Sequence, residues 1–444
     1  MREYRLSHAA TLLNNGNVLV EGGLTFSSVT SGAEIYVPSK HGWRETGAMN
    51  VAREEHTSTL LRDGRVLVAG GYDTPGAIAS AELYDPTTGT WSFTGSLNVA
   101  RRGPRAALLA DGKVLVAGGS AEGYLASAEL YDPATGTWSL TGSMTIARVG
   151  QTTTRLADGR VLVAGGVTLS FDYLTSAEIY DPATGAWTPT GSMNAKREGH
   201  TATLLSDGRV LVAGGYQPGD TASCELYDPA TGTWSLTGNM VARRSGHKAV
   251  LQNDGTVLVA GGQDPDLVST EIYDPATATW SLAGDLMDQR TAHTLTRLAD
   301  GTTLVAGGIE FPTIALNSAE IYTPVYAETM NVNGNGTFNS TAGTATFSLD
   351  VTGNGHGIPT GTLTYSDPNA NVTFARVRLD KLMFNGNAAT IIGAARLANG
   401  SGNVAFTVTA VDNSADGSSD TFSITLSNGY SESGTLTSGN ITIQ

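Results

Sequence analysis

The chain has 444 residues, 40% of them hydrophobic, enough for a large core and too many for wholesale disorder. Its net charge is −15 with five lysines (Lys40, Lys113, Lys196, Lys248 and Lys381), a field that repels phosphate backbones and makes nucleic acid and anionic membranes poor partners. The lone Cys224 excludes an intramolecular disulfide, and no run of about 18 apolar residues offers a transmembrane segment.

From the start, one unit repeats. A Gly-Gly pair stands at Gly22-Gly23, Gly70-Gly71, Gly118-Gly119, Gly165-Gly166, Gly214-Gly215, Gly261-Gly262 and Gly307-Gly308, with 46 to 49 residues between successive pairs. Such a period marks an array of one supersecondary unit. In the unit from Arg197 to Trp234, His200–Leu205 and Arg209–Ala213 flank Asp207-Gly208, a turn that needs positive φ. A third strand follows at Cys224–Tyr227, ended by Asp228-Pro229, and Thr233–Leu236 reads as an outer strand. Four antiparallel strands per unit, without helical periodicity, describe a propeller blade.

The spacing is strict. An Arg lies 18 residues before each second glycine: Arg5, Arg53, Arg101, Arg148, Arg197, Arg244 and Arg290. Only the loop between the second glycine and the Glu of strand three changes length, from 8 to 11 residues. A scaffold that holds every other connection constant is presenting that loop at its surface. The paired glycines, Glu-x-Tyr (Glu82/Tyr84, Glu129/Tyr131, Glu178/Tyr180) and Trp43, Trp91, Trp138, Trp187, Trp234 and Trp280 resemble the kelch repeat family over residues 1–326. The resemblance implies an all-β, seven-bladed propeller with the strand two–three and four–one loops on one functional face. The seventh unit has no Trp seven residues after Tyr322, while Met1 aligns with Met49, Met144, Met193 and Met240. Either an upstream strand completes that blade, or Ala327–Val332 supplies it. Without one, an open edge invites strand addition from another chain.

Residues 327–444 shift to Gly, Asn, Thr and Ser and read as a second domain. Expected strands are Thr344–Val351, Thr362–Tyr365, Val372–Arg378, Thr390–Arg396, Val404–Val411, Thr421–Leu426 and Ile441–Ile443, forming a β-sandwich or small barrel. Its closing stretch resembles small β modules appended to secreted bacterial proteins. The two-domain pairing also resembles the galactose oxidase architecture, which would need a Cys cross-linked to Tyr, plus Tyr and His copper ligands. Cys224 instead takes a strand-three place held by Ala or Thr in the other units, and His356 is the one His of the second domain, so that chemistry is not expected.

His8, His56, His200, His247 and His293 share one position in the repeat, as do seven Arg and seven Glu. Recurrence in register points to architecture, the Arg and Glu pairing to set blade geometry. Neither a metal nor a cofactor is expected. The unequal loops hold the candidate ligand-binding residues: Phe26; Tyr72 and Asp73; Glu122 and Tyr124; Phe171, Asp172 and Tyr173; Tyr216 and Asp220; Asp264 and Asp266; Glu310 and Phe311. Aromatic faces stack on sugars or peptide side chains, and carboxylates accept hydroxyl hydrogen bonds. The expectation is an extracellular or cell-surface binding protein for a glycan or protein ligand. Met1–Arg5 opens no apolar signal core, so export would need a signal beyond this chain. The alternatives are a secreted lyase or hydrolase using carboxylates and tyrosines of that face, and a subunit self-assembling through the seventh blade edge or the C-terminal module.

Overall fold

The computed structural model describes residues 1–263, 267–310, 314–324, 330–353, 360–385, 387–399, 403–413 and 417–443. It divides into two compact units, Met1–Trp280 with Asp285–Thr323, and Pro324–Gln444 with Ser281–Gly284; each is described by itself.

The first unit is a seven-bladed propeller. Blade three is representative: Arg105–Leu108, Val114–Ala117, Ala128–Asp132 and Thr137–Leu140 form an antiparallel four-stranded sheet. The second strand is apolar on both faces because it is sandwiched between neighbouring blades, so Val114, Leu115, Val116 and Ala117 are all buried. Tyr131 pairs across the sheet with Trp138, ring centroids 5.1 Å apart. The Trp138 indole then donates to the Gly95 carbonyl of the preceding blade at 2.8 Å. The same bond links Trp91 to Gly47, Trp187 to Gly142, Trp234 to Gly191 and Trp280 to Gly238. The constant spacing of Tyr and Trp is therefore blade-to-blade packing.

Each glycine pair marks a tight crossing between blades. The Gly23 N–H donates to the Arg53 carbonyl of the next blade at 2.9 Å, and a Cβ on Gly22 would stand 2.5 Å from that oxygen. Both glycines have positive φ, so no side chain fits on steric or conformational grounds. Blade seven repeats the contact to blade one: Gly308 N–H donates to the Arg5 carbonyl at 2.7 Å. Met1 donates from its amino group to the Asn317 carbonyl, as the Met49, Met144 and Met193 N–H groups donate to Ser31, Ala126 and Thr175. The innermost strands Ala9–Leu12 and Thr294–Arg297 lie side by side, closing the ring.

The seventh blade has three strands among the described residues, Thr294–Arg297, Thr303–Ala306 and Ala319–Tyr322. The expectation that Ala327–Val332 adds a fourth fails for its last three residues. Met330–Ser340 is a strand of the second unit, pairing Val332 with Val351 and Ile443; residues 325–329 lie outside the described ones.

The second unit is a closed antiparallel barrel of eight strands: Met330–Ser340, Gly343–Gly353, Thr360–Asp367, Val372–Asn385, Ala388–Leu397, Asn403–Val411, Thr421–Leu426 and Ser431–Ile443. Alternating burial along Ala388–Leu397 is the period-two pattern of a wall with one inward face. The interior is filled: Phe347 stacks on Phe422 at 4.1 Å, and Tyr365, Phe374 and Phe406 continue the layer. Closure depends on the first strand, which escaped the sequence reading because Asn331–Gly336 carries a single apolar residue, Val332. Gly334 and Gly336 permit close approach there, since a Cβ would meet the Asn440 and Ser438 carbonyls at 2.7 and 2.5 Å.

Candidate functional site

The recurring charged residues are structural. Arg53 donates to the Gly70 and Ser80 carbonyls, to the Ser80 hydroxyl and to Glu82. Glu82 in turn accepts the Asn50 and Val51 N–H groups. All seven blades form this Arg–Glu pair, at 2.5 to 3.4 Å. It joins the segment entering a blade to that blade's third strand. The histidines are buried at the head of the inner strands, and burial pulls His8, His56 and His200 down to about 3. They are neutral at ordinary pH. No group of three or more His, Cys, Asp or Glu among the described residues could hold a metal.

The variable loops share one face with the connectors that lead into the inner strands. Glu54 bridges Tyr72, Arg102 bridges Ser120, Glu198 bridges Tyr216, and Thr291 bridges Ile309. On this face the candidates fall into separate groups. In blades four and five, Tyr173 meets Tyr216 edge-on at 5.6 Å, with Phe171 75% exposed at a loop tip. Exposed Leu169 and Asp172 belong to the same loop, and Glu198, under Tyr216, has its carboxyl pulled up by burial. Asp220 pairs with Tyr216 across a two-residue hairpin.

In blades two and three, the Arg102 guanidinium lies over the Tyr72 ring at 4.6 Å and grips Glu55 through Nε and Nη2 at 2.7 and 2.8 Å. Beside them Glu54 is buried, its carboxyl raised first by burial and then by Glu55, with Asp73 adding to it and Arg102 opposing. Phe26 forms its own pair with Tyr4 at 4.6 Å in blade one. Glu122 is exposed and Tyr124 half-buried, bridged to Ser120; Glu310 is in a short hairpin with Ile314. Asp264, Asp266 and Phe311 lie outside the described residues, as does His356.

Sequence reasoning missed Glu54, Glu55, Arg102, Glu198, Tyr4 and Leu169. The signal was available for three of them. The place after the recurring Arg holds Leu6, Glu54, Arg102, Val149, Glu198, Ser245 and Thr291, a position of fixed length and free identity.

Family models for the Kelch motif match residues 57–98, 101–145, 199–241 and 244–287. The propeller is built of kelch repeats. Comparison with curated proteins finds no match. Among solved structures, the kelch propeller and barrel together are similar to a novel fungal alcohol oxidase of the AA5 family in complex with copper. The TM-score is 0.63 at 16% identity, over 90% of this chain and 95% of that one, a likeness of fold. Cys224 is buried among Leu205, Leu226, Met240 and Tyr273, and burial raises its thiol to about 11.

Proposed function

We propose that this protein is an extracellular or cell-surface binding protein whose variable-loop face holds a glycan or protein ligand. The observation that carries the reading is the group in blades four and five. Exposed Phe171 and Leu169 flank the Tyr173–Tyr216 pair, with the Asp172 and Asp220 carboxylates at its edge. Exposed rings held by neighbouring rings lose little freedom on binding, and carboxylates beside them accept hydroxyl or amide hydrogen bonds. The Tyr72–Arg102–Glu55 group is the second half of the surface, and the barrel acts as a spacer, anchor or assembly module.

The test is a glycan array and pull-down with the intact chain, followed by Tyr72→Ala with Tyr216→Ala. Ligand retention is lost while thermal stability changes by no more than about 0.5 kcal/mol per surface site. A ligand whose affinity ignores both changes would sink the site. A second reading, a carbohydrate-active enzyme, is favoured by the raised carboxyls of Glu54 and Glu198 on the same face, since a general acid needs such a shift. Turnover of polysaccharides that disappears in Glu54→Gln and Glu198→Gln would establish it instead.

A further inference from the structure

The heads of the innermost strands carry a further set of polar side chains. One residue per blade just above them has left-handed backbone: Ser7, Glu55, Gly103, Gly150, Gly199, Gly246 and Ala292. Five of the seven neighbouring pairs bond head to tail around the axis: Ser7 N–H to the Ala292 carbonyl, Glu55 to Ser7 and Gly103 to Glu55, each at 3.0 Å, and Gly199 donates to Gly150 and Gly246 to Gly199. The collar is narrow, since most neighbouring members are within backbone hydrogen-bond reach of one another. Two residues further along each strand stand Ala9, Thr57, Arg105, Thr152, Thr201, Lys248 and Thr294.

At this level Thr hydroxyls serve the next blade's histidine. Thr294 pairs with His8 Nε2 at 3.2 Å, Thr152 with His200 at 3.2 Å, and Thr201 with His247 at 3.1 Å. Lys248 breaks the pattern. In the blade after it, both ring nitrogens of His293 are without a partner although the residue is 1% exposed. Burial and Arg105, and no carboxylate, act on the Lys248 ammonium, and Arg105 donates to the Gln151 carbonyl at 3.2 Å. Lys248 is half-buried and its neighbours are cationic or neutral: Arg105 repels it, and it in turn presses on His8, His247 and His293. Glu55 is the acid whose field reaches Arg105, and it is already held by Arg102. Arg105 is exposed and Lys248 half-buried, and two cations that repel each other at one level of the channel without a shared counter-charge are a place for an anion to join them.

We propose that the mouth of the central channel binds a small oxyanion, a carboxylate or a phosphate, through the charges of Lys248 and Arg105 and a ring N–H of His293. The site is independent of the loop-face ligand. Burial and Arg105 hold the Lys248 ammonium down to about 8, and a bound anion reverses that shift.

The experiment is titration calorimetry of the intact chain at pH 7 and constant ionic strength, with inorganic phosphate in one arm and acetate in the other. One anion binds per chain. Arg105→Thr and Lys248→Thr each weaken it at least tenfold and the double variant abolishes it. Thr is the residue of four other blades at this place, so the variants keep the local structure. In the unmutated protein, saturating phosphate or acetate raises the Lys248 pKa, read by NMR of labelled lysine. Preference between the two arms tells phosphate from carboxylate. The proposal is overturned if neither anion binds the unmutated protein more tightly than chloride, if the double variant binds like the parent, or if the Lys248 titration ignores both anions.

Discussion

The Glu21 carboxylate lies 4.0 Å from the His56 imidazole, both buried between the first and second blades. Glu21 replaces the alanine of the other six blades (Ala69, Ala117, Ala164, Ala213, Ala260 and Ala306) and pairs across the sheet with Ala9. Ala9 stands where a Thr hydroxyl serves the next histidine in other blades, which leaves His56 Nε2 without a hydrogen bond. Neither Glu21 oxygen has one of good geometry either, although the nearby Ser58 hydroxyl, itself paired with Thr11 at 2.6 Å, pulls the carboxyl down somewhat. Burial raises Glu21 to about 7, while burial, Arg53 and His8 pull His56 down to about 3. Below about pH 7 the two groups therefore meet as neutral acid and neutral base.

A raised carboxyl in the folded state means that the folded protein holds a proton that the unfolded chain has released above its ordinary 4.5. Stability from this group is present below 4.5 and is lost as pH rises through about 7, to the extent of roughly 3 kcal/mol. Glu21→Ala removes that loss and restores the residue of every other blade. Urea midpoints at pH 8 rise in the variant, and the gain shrinks toward pH 5. A variant no more stable than the parent at pH 8 would show the carboxylate to be better solvated than its burial indicates.

The histidine ring gives the opposite slope. His200, lowered to about 3 by burial and then by Arg197 and Arg105, stays neutral when folded, but the unfolded chain protonates it below 6.5. Stability is complete above 6.5 and falls as pH drops toward 3. Gln151 is the natural substitute at this place, buried and bonded to the Ala117 carbonyl. His200→Gln lowers the dependence of unfolding free energy on pH between 6 and 4 by one proton, about 1.4 kcal/mol per pH unit. An unchanged slope would mean that His200 protonates equally well in both states.

Much of this architecture was legible because the array repeats. Glycine pairs, Arg, Glu, Tyr and Trp recur at constant spacing, and constancy across copies separates what packs from what varies. Legibility fails where a residue acts through neighbours that its own repeat does not contain. Glu21 reads as one exception to an alanine, and its consequence appears only when His56 of the next blade is beside it. Arg102 stands at a place of fixed length and free identity, but its partners Tyr72 and Glu55 belong to the preceding blade and not to its own repeat. In the barrel, Met330–Ser340 is invisible to apolar alternation because glycines admit the last strand closely in place of side chains.

Trp138 and Trp43 test what an outer strand contributes. Trp138 is 9% exposed, stacks against Tyr131 and bonds to Gly95 of blade two. Trp43 packs beside Tyr36 at 5.2 Å, but its preceding blade is the seventh, which has three strands among the described residues. Trp138→Ala costs about 3–5 kcal/mol, and Trp43→Ala costs at least about 1 kcal/mol less, the worth of the missing hydrogen bond. Thermal or urea unfolding decides it. Equal losses would show that Trp43 has the full set of contacts, with its outer-strand partner supplied from elsewhere.

The collar at the channel mouth offers a paired test of backbone strain. Gly103, Gly150, Gly199 and Gly246 have φ of +57 to +66°, where glycine is at ease; Ser7, Glu55 and Ala292 take +51 to +54° with a side chain attached. An L residue in this region costs about 1–2 kcal/mol, partly offset by the greater freedom that glycine loses on folding. Ala292→Gly therefore stabilises by about 0.5–1 kcal/mol, and Gly199→Ala destabilises by a similar amount. A Cβ on Gly199 meets nothing closer than the Gly246 nitrogen at 3.6 Å, so its cost is conformational and not a clash. Chemical denaturation of both variants measures the pair. A gain and a loss of matching size identify strain as the cause, whereas destabilisation by Ala292→Gly would mean that the alanine methyl contributes packing at the collar that outweighs it.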